Sequence, residues 1–340
     1  MITNNSQTNN QNSEIQNQAK KLWHEVFNDK KKFIEQYFNV FNAQKNLKYI
    51  ADNDNIISML VACSYNWFYN ELKLPFAYLS GILTSTNYRK QGFCSNLIKD
   101  TLLELYKEDY ALCGLIAANE PLTDYYKKFD FSCCLKKEDK TFSRRQIDKR
   151  LVDSYFLLQN ANFTQANIFQ YLSCKNNAVS HNKDTLSLYN NKEYLRLAAT
   201  VSGSVRAFAV AKKTKNFIDV LDISFSNLEG RQALLSLIAY TYKKDVNYQC
   251  QSYLSETDNY SMLRIINARK CLEAYAFTHP AEDMYITVKD NVILQNNITV
   301  HLYQGEVLNV SPSYNIPVID ILFLSSYIFA NAYMFLMLDR

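Results

Sequence analysis

Leu83-Thr84-Ser85-Thr86-Asn87-Tyr88-Arg89-Lys90-Gln91-Gly92-Phe93-Cys94-Ser95 takes the chain from an apolar strand through a short polar loop into a helix. The helix opens at a glycine that follows two cations, Arg89 and Lys90. The first turn of a helix presents N–H groups without partners and the positive end of the peptide dipole. A glycine there lets the backbone come close to an anion, and a pyrophosphate fits that description. Taken alone, R-x-x-G also describes an ordinary helix start with surface Arg and Lys, so the neighbouring segments have to decide between the two.

Upstream, apolar residues recur at Ile15, Ala19, Leu22, Trp23, Val26 and Phe27, then at Phe33, Ile34, Tyr37, Phe38 and Phe41, the spacing of two amphipathic helices. Leu47–Ala51 and Ile56–Tyr65 read as strands joined at Asp52-Asn53-Asp54-Asn55, a hairpin turn made without glycine. Phe76–Thr84 is a strand and Phe93–Tyr106 a helix with Leu97, Ile98, Thr101, Leu102, Leu105 and Tyr106 on one side. Tyr110–Ala118 is apolar on both faces, which suits the parallel partner in a strand–helix–strand crossover. Pro121 can start a further helix that carries Tyr125, Tyr126 and Phe129. In the second half, strands at Leu195–Val201, Val205–Lys212 and Phe217–Phe225 precede a helix at Glu229–Tyr242 and a strand at Tyr248–Tyr253, repeating the earlier order. Between the halves, Lys136, Lys137, Lys140, Arg144, Arg145, Lys149 and Arg150 read as a solvated face at a junction.

Composition narrows the function classes. The 340 residues suit two domains, and 48% hydrophobic with 21% charged residues describes a globular chain rather than a disordered, collagenous or polytopic membrane one. A net charge of +4 over this length gives no reason to expect a nucleic-acid partner. Six glycines and five prolines, against about 24 and about 17 at ordinary usage, mean that turns rely on Asn, Asp and Lys. The eight cysteines form no C-x-x-C pair and read as buried hydrophobes of a reducing, cytoplasmic compartment; the four scattered histidines make no metal site. Residues 1–14 are expected to be a disordered polar tail, with no signal sequence. Ile321–Leu338 lacks charge, but Ser325, Ser326, Asn331 and the flanking Asp320 and Asp339 favour buried terminal strands over a membrane anchor.

Residues 15 to about 132 resemble an N-acetyltransferase domain of the GNAT superfamily. That family marks its acetyl-CoA pyrophosphate loop with [R/Q]-x-x-G-x-[G/A], and Arg89-x-x-Gly92-x-Cys94 stands between the matching strand and helix. A further strand and a tyrosine-bearing helix follow in the family's order, here Ala111–Asn119 and Tyr126-Lys127-Lys128-Phe129-Asp130-Phe131. Cys94 replaces a smaller residue and Asp130 a glycine, which Asp can imitate because it tolerates a left-handed backbone. A second half with Ser224–Gly230 at the equivalent junction, but without the motif, is similar to the enhanced-intracellular-survival type of acetyltransferase. The resemblance implies an α/β class with mixed sheets: a GNAT domain at residues 15–142, then linker helices and a degenerate second copy at 143–340. Those relatives add a sterol-carrier-like third domain, for which no length is expected to remain here.

What the resemblance implies chemically is direct attack of an amine on the thioester of acetyl-CoA, without a metal. The amides of Lys90, Gln91, Gly92, Phe93, Cys94 and Ser95, with Arg89, would cradle the pyrophosphate. Ile82, Leu83 and Thr84 would lie along the pantetheine arm, with an N–H of that stretch facing the oxyanion. Asn119 and Glu120 would border the cofactor or cap the following helix. Tyr126 is the general-acid candidate, with Tyr125 in its place if the helix register differs by one. The base is the terminal carboxylate on Arg340, Asp339, or a water chain. The acceptor is a small-molecule or peptide amine. Two alternatives remain at this level: a catalytically silent CoA-binding sensor, and a tandem GNAT-fold aminoacyl transferase using charged tRNA.

Overall fold

The computed structural model describes residues 9–41, 43–135, 137–161, 178–180, 192–251, 261–312 and 315–330. The chain divides into two compact units. One comprises residues 1–66, 74–134 and 260–330, the other residues 67–73, 135–259 and 331–340.

The first unit begins with α1 (Asn9–Phe27) and α2 (Lys31–Val40). α1 starts at Asn9, within the Asn/Gln-rich stretch of residues 1–14. Trp23 packs edge-on against Phe27 and Phe38 at ring-centroid separations of 5.5 and 5.8 Å and lies 4.9 Å from Tyr37, fixing one helix on the other. β1 (Leu47–Asp52) and β2 (Asn55–Tyr69) form the expected hairpin, and Asn53 and Asp54 both take positive φ, 46° and 63°, as a two-residue primed turn demands. Asn, Asp and Lys supply nine of the eleven non-glycine positive-φ residues described, as a glycine-poor chain requires.

β3 (Leu72–Thr84), α3 (Phe93–Lys107) and β4 (Leu112–Ile116) make the crossover. β3 and β4 pair in parallel only from Phe76 to Tyr78 against Leu112 to Gly114, and β3 runs six residues further to Thr84. The two strands therefore part beyond Tyr78. α4 (Glu120–Lys127) follows. The sheet order is β1-β2-β3-β4, with β11 (Ser261–Ile265) antiparallel to β4 on its other side.

The second unit repeats this plan. β7 (Leu195–Val201), β8 (Ser204–Lys213) and β9 (Phe217–Phe225) are antiparallel. α6 (Leu228–Tyr242) then leads to β10 (Asp245–Gln251), parallel to β9 over three residue pairs. β5 (Lys137–Phe142) lies antiparallel to β10, and β6 (Phe156–Gln159), reached through the short α5 (Lys149–Ser154), closes the order β5-β10-β9-β8-β7-β6. Each unit's last strand is thus supplied from the far side of the other half in sequence: β5 follows the first repeat and completes the second, while β11 follows the second and completes the first. The basic run read as a junction is in fact partly β5, with Lys140, Arg144, Arg145, Lys149 and Arg150 exposed.

The described strands of the second repeat end at Gln251, and the described residues from Ser261 onward lie in the first unit. Residues 268–328 form α7 (Ala268–Thr278), β12 (Asp283–Lys289), β13 (Thr299–Tyr303), β14 (Glu306–Asn309), β15 (Val318–Asp320) and α8 (Ile321–Ile328), with sheet order β14-β13-β12-β15, all within the first unit. Where strands were expected over 321–338, the described part is α8, and residues 331–338 lie outside the described residues: Asp320 caps α8 by accepting from Phe323 N at 2.6 Å, and Ser325 Oγ donates to Ile321 O at 2.8 Å. Ile321, Leu324, Ser325 and Ile328 form its buried side, a helical spacing that the uncharged run concealed. No helix among the described residues is long and apolar enough to cross a membrane.

Candidate active site

The strand-to-helix corner after β3 is built on two left-handed residues. Lys90 has φ 63° and Gly92 φ 87°, and Gly92 is the N-cap of α3 with no side chain to accept from the first turn. The first intrahelical bond here runs from Asn96 N to Gly92 O at 3.0 Å. The amides of Phe93, Cys94 and Ser95 precede it and have no partner among the described residues. A Cβ built on Gly92 would meet nothing within 4 Å, so the glycine at the cap is uncrowded. Arg89 Nε donates to Thr84 O at 3.2 Å and Gln91 Nε2 to Asn87 O at 3.1 Å, which closes the loop while leaving both side chains exposed. A donor set of consecutive amides at a dipole's positive end, flanked by Arg89 and Lys90, suits a diphosphate.

Behind the corner, side chains tie three elements together. Ser95 Oγ and Tyr125 Oη lie 3.0 Å apart, and the Cys94 thiol faces Tyr125 and Thr84. Burial raises the Cys94 pKa and those two hydroxyls oppose it, so the thiol stays protonated near neutrality. Thr84 Oγ1 also meets Ser58 Oγ at 2.9 Å, and Ser58 Oγ donates to Leu83 O at 3.1 Å. Ile82, Leu83 and Thr84 are thereby fixed as the end of β3, beside the gap left as β4 diverges.

Tyr126 sits in the core formed by Leu79, Leu97, Leu115, Ala117, Phe129 and Phe131, with 6% of its surface exposed. Its hydroxyl, unlike that of Tyr125, has no hydrogen-bond partner among the described residues. Burial raises its pKa well above the ordinary value of 10.0, and the nearby Cys94 and Tyr125 add to the rise. The phenol therefore carries its proton at neutral pH.

Asn119 is the N-cap of α4, its Oδ1 accepting from Leu122 N at 3.1 Å, and Glu120 occupies the first turn, both exposed. Asp130 takes the left-handed conformation, φ 61°, at the position where the family motif has glycine. Arg340 and Asp339 lie outside the described residues. Among the described residues no group of His, Cys, Asp and Glu is arranged to hold a metal ion. Motif reading passed over Gly81, which bends β3 with φ 58° just before Ile82; an added Cβ would run into the Trp23 ring. The signal was the rarity of glycine in a strand pattern.

At the corresponding corner of the second unit, Asn227 caps α6 with its side chain, accepting from Gly230 N at 2.8 Å. Gly230 is the third residue of that helix rather than its cap, and a Cβ there would lie 2.7 Å from Arg206 O.

Residues 8–134 match the family of acetyltransferase (GNAT) domains. No curated protein sequence matches the chain. Among solved structures, a protein of Enterococcus faecalis V583 described as a probable N-acyltransferase superposes with a TM-score of 0.77 at 14% identity, over 92% of this chain and 87% of that one. A GCN5-related N-acetyltransferase of Anabaena variabilis gives 0.75 at 15% identity, over 96% and 89%. Eis1 of Mycobacterium abscessus gives 0.73 at 12% identity, over 93% and 87%. These likenesses extend the shared fold across both units and the C-terminal module. The match at residues 8–134 takes in both the helix corner at Gly92 and the tyrosine-bearing helix, in the expected order, so this part of the chain is an acetyltransferase (GNAT) domain by its family match.

Proposed function

We propose that this protein transfers the acetyl group of acetyl-CoA to a primary amine of a small molecule or peptide, by direct attack within a ternary complex. The observation that carries the reading is the start of α3 at Gly92, with no side-chain cap bond and no crowding at the glycine, together with the buried Tyr126, whose hydroxyl has no partner among the described residues. The amides of Phe93, Cys94 and Ser95 bind the diphosphate, with Arg89, Lys90 and Gln91 around it, while Ile82, Leu83 and Thr84 line the arm that leads inward. Acetyl-CoA supplies an activated acyl thioester when bound. Tyr126 Oη holds the proton that the departing thiolate takes, since a neutral phenol can protonate a thiolate whose conjugate acid has a pKa of about 8.5. The reading puts the cofactor site in the first unit and gives the second unit no coenzyme site of its own. Retention of the corner in the first unit favours acetyl-CoA over charged tRNA as donor.

Isothermal titration with CoA tests the assignment, on the wild type and on Gly92→Asp. Binding by the wild type and loss of about a hundredfold in the variant are expected, because the new carboxylate occupies the amides' anion site. Equal binding by the two proteins, or none by the wild type, overturns it.

A further inference from the structure

Arg264 is an unexpected residue in β11, a strand buried along its whole length, and its side chain is 0% exposed. Its Nη2 lies 2.7 Å from Asp290 Oδ1, and its Nη1 donates to Ile265 O. Asp290 is otherwise satisfied by Val292 N, Ile293 N and Asn296 Nδ2 at 2.8–2.9 Å. The same Nη2 faces a second carboxylate, Asp130 Oδ2, at 3.7 Å, and Nε has no partner among the described residues. Asp130 closes the turn that ends α4, where Phe129 N and Phe131 N both donate to Tyr126 O. Two residues on, Ser132 and Leu263 exchange backbone hydrogen bonds of 2.8 and 2.9 Å, joining that turn to β11. The end of the Tyr126 helix is thus clamped to a strand that enters the chain more than a hundred residues later.

We infer that Asp130 and Arg264 are positioning residues, which hold the turn after α4 and through it set the Tyr126 hydroxyl for proton transfer. The inference rests on the acetyltransferase reading above. Burial raises the Asp130 pKa, Arg264 opposes the rise, and Asp290 and Asp320 add to it. An acid whose folded pKa lies above its unfolded one stabilises the fold below the unfolded value and loses that contribution as pH rises through the folded pKa. At neutral pH the Asp130 charge therefore does not serve stability, and glycine would suit φ 61° better. A purely structural role and a positioning role consequently predict different outcomes.

The test compares wild type, Asp130→Gly and Asp130→Asn by thermal melting and by steady-state release of CoA from acetyl-CoA with a panel of primary amines. Positioning predicts an unchanged or higher Tm in both variants, kcat lowered about tenfold or more, and a KM for acetyl-CoA within about twofold of wild type. Unchanged kcat in an active enzyme overturns the inference while leaving the acetyltransferase reading intact. A fall in Tm that parallels the fall in kcat also overturns it, since the pair would then be structural. A wild-type protein that transfers nothing to any amine fails the underlying reading, and this inference with it.

Discussion

Ser95 Oγ and Tyr125 Oη stand 3.0 Å apart, so the first turn of α3 is fastened to α4 through the tyrosine adjacent to Tyr126, whose own hydroxyl has no partner among the described residues. The two neighbouring tyrosines therefore divide their work. Tyr125 is half-buried and spends its hydroxyl on Ser95, whereas Tyr126 is buried by its ring alone.

That division predicts opposite kinetic signatures. Tyr126→Phe removes the proton donor but keeps the ring in its core, so kcat should fall about a hundredfold while CoA affinity stays within about twofold. Tyr125→Phe leaves the donor in place and loosens the corner, so it should weaken CoA binding several-fold with kcat near wild type. Titration calorimetry and steady-state rates on both variants decide the assignment. The reversed pattern would move the acid to Tyr125.

The direction of the Tyr126 shift sets a pH expectation. Burial first, then Cys94 and Tyr125, keeps the phenol neutral above its ordinary 10.0. For stability, this group contributes fully below the unfolded value and loses that contribution as pH rises through the folded one. For catalysis, the acid stays in its active form throughout the range in which an amine acceptor deprotonates. The rate should rise to a plateau and hold to about pH 10. A decline setting in near pH 8, measured as kcat with acetyl-CoA saturating, would exclude Tyr126 as the acid.

Gly81 gives a stability prediction independent of chemistry. Its φ of 58° already disfavours any L side chain, and an added methyl would be driven into the Trp23 ring, itself held by a 2.8 Å bond from Nε1 to Asp29 Oδ2. Gly81→Ala should cost about 2–4 kcal/mol, read as a lower midpoint in urea. Gly92→Ala meets open space, and only its left-handed backbone opposes it, so about 1–2 kcal/mol is expected there. Equal losses at the two positions would contradict the geometry.

Much of the first unit was legible because its signals are local. The hairpin at Asn53-Asp54, the crossover around Gly92 and the left-handed Asp130 each depend on a few adjacent residues. The parts that escaped depend on distant partners. Nothing within Lys137–Phe142 says that this basic segment pairs with Asp245–Gln251, since an exposed edge strand lacks the apolar alternation that marks a half-buried one. Likewise Ser261–Ile265 does not announce Leu112–Ile116 as its neighbour, and Arg264 hides the strand's burial behind a charge. The uncharged run after Asp320 misled for a related reason, because serines that argued against a span, and so for strands, can return their hydroxyls to the helix carbonyl four residues earlier. In the site itself, Ser95 was expected to serve the anion only, and its bond to Tyr125 needed a side chain thirty residues away.

The two strand-to-helix corners differ in a way that fixes how many coenzyme molecules one chain can take. At Gly92 no side-chain cap bond is made to the helix start among the described residues, and a Cβ there would meet nothing within 4 Å. At the second corner the Gly230 amide is already spent on Asn227 Oδ1, and Ser226 N donates to Arg206 O at 2.8 Å. An anion arriving there would have to displace that cap and meet the Glu229 carboxylate in the first turn. Calorimetric titration with CoA should therefore give a stoichiometry near one per chain. Asn227→Ala, which frees the second set of amides but leaves Glu229 in place, should keep that stoichiometry while lowering stability by about 1 kcal/mol. A value near two, in either protein, would show that the second corner opens in solution.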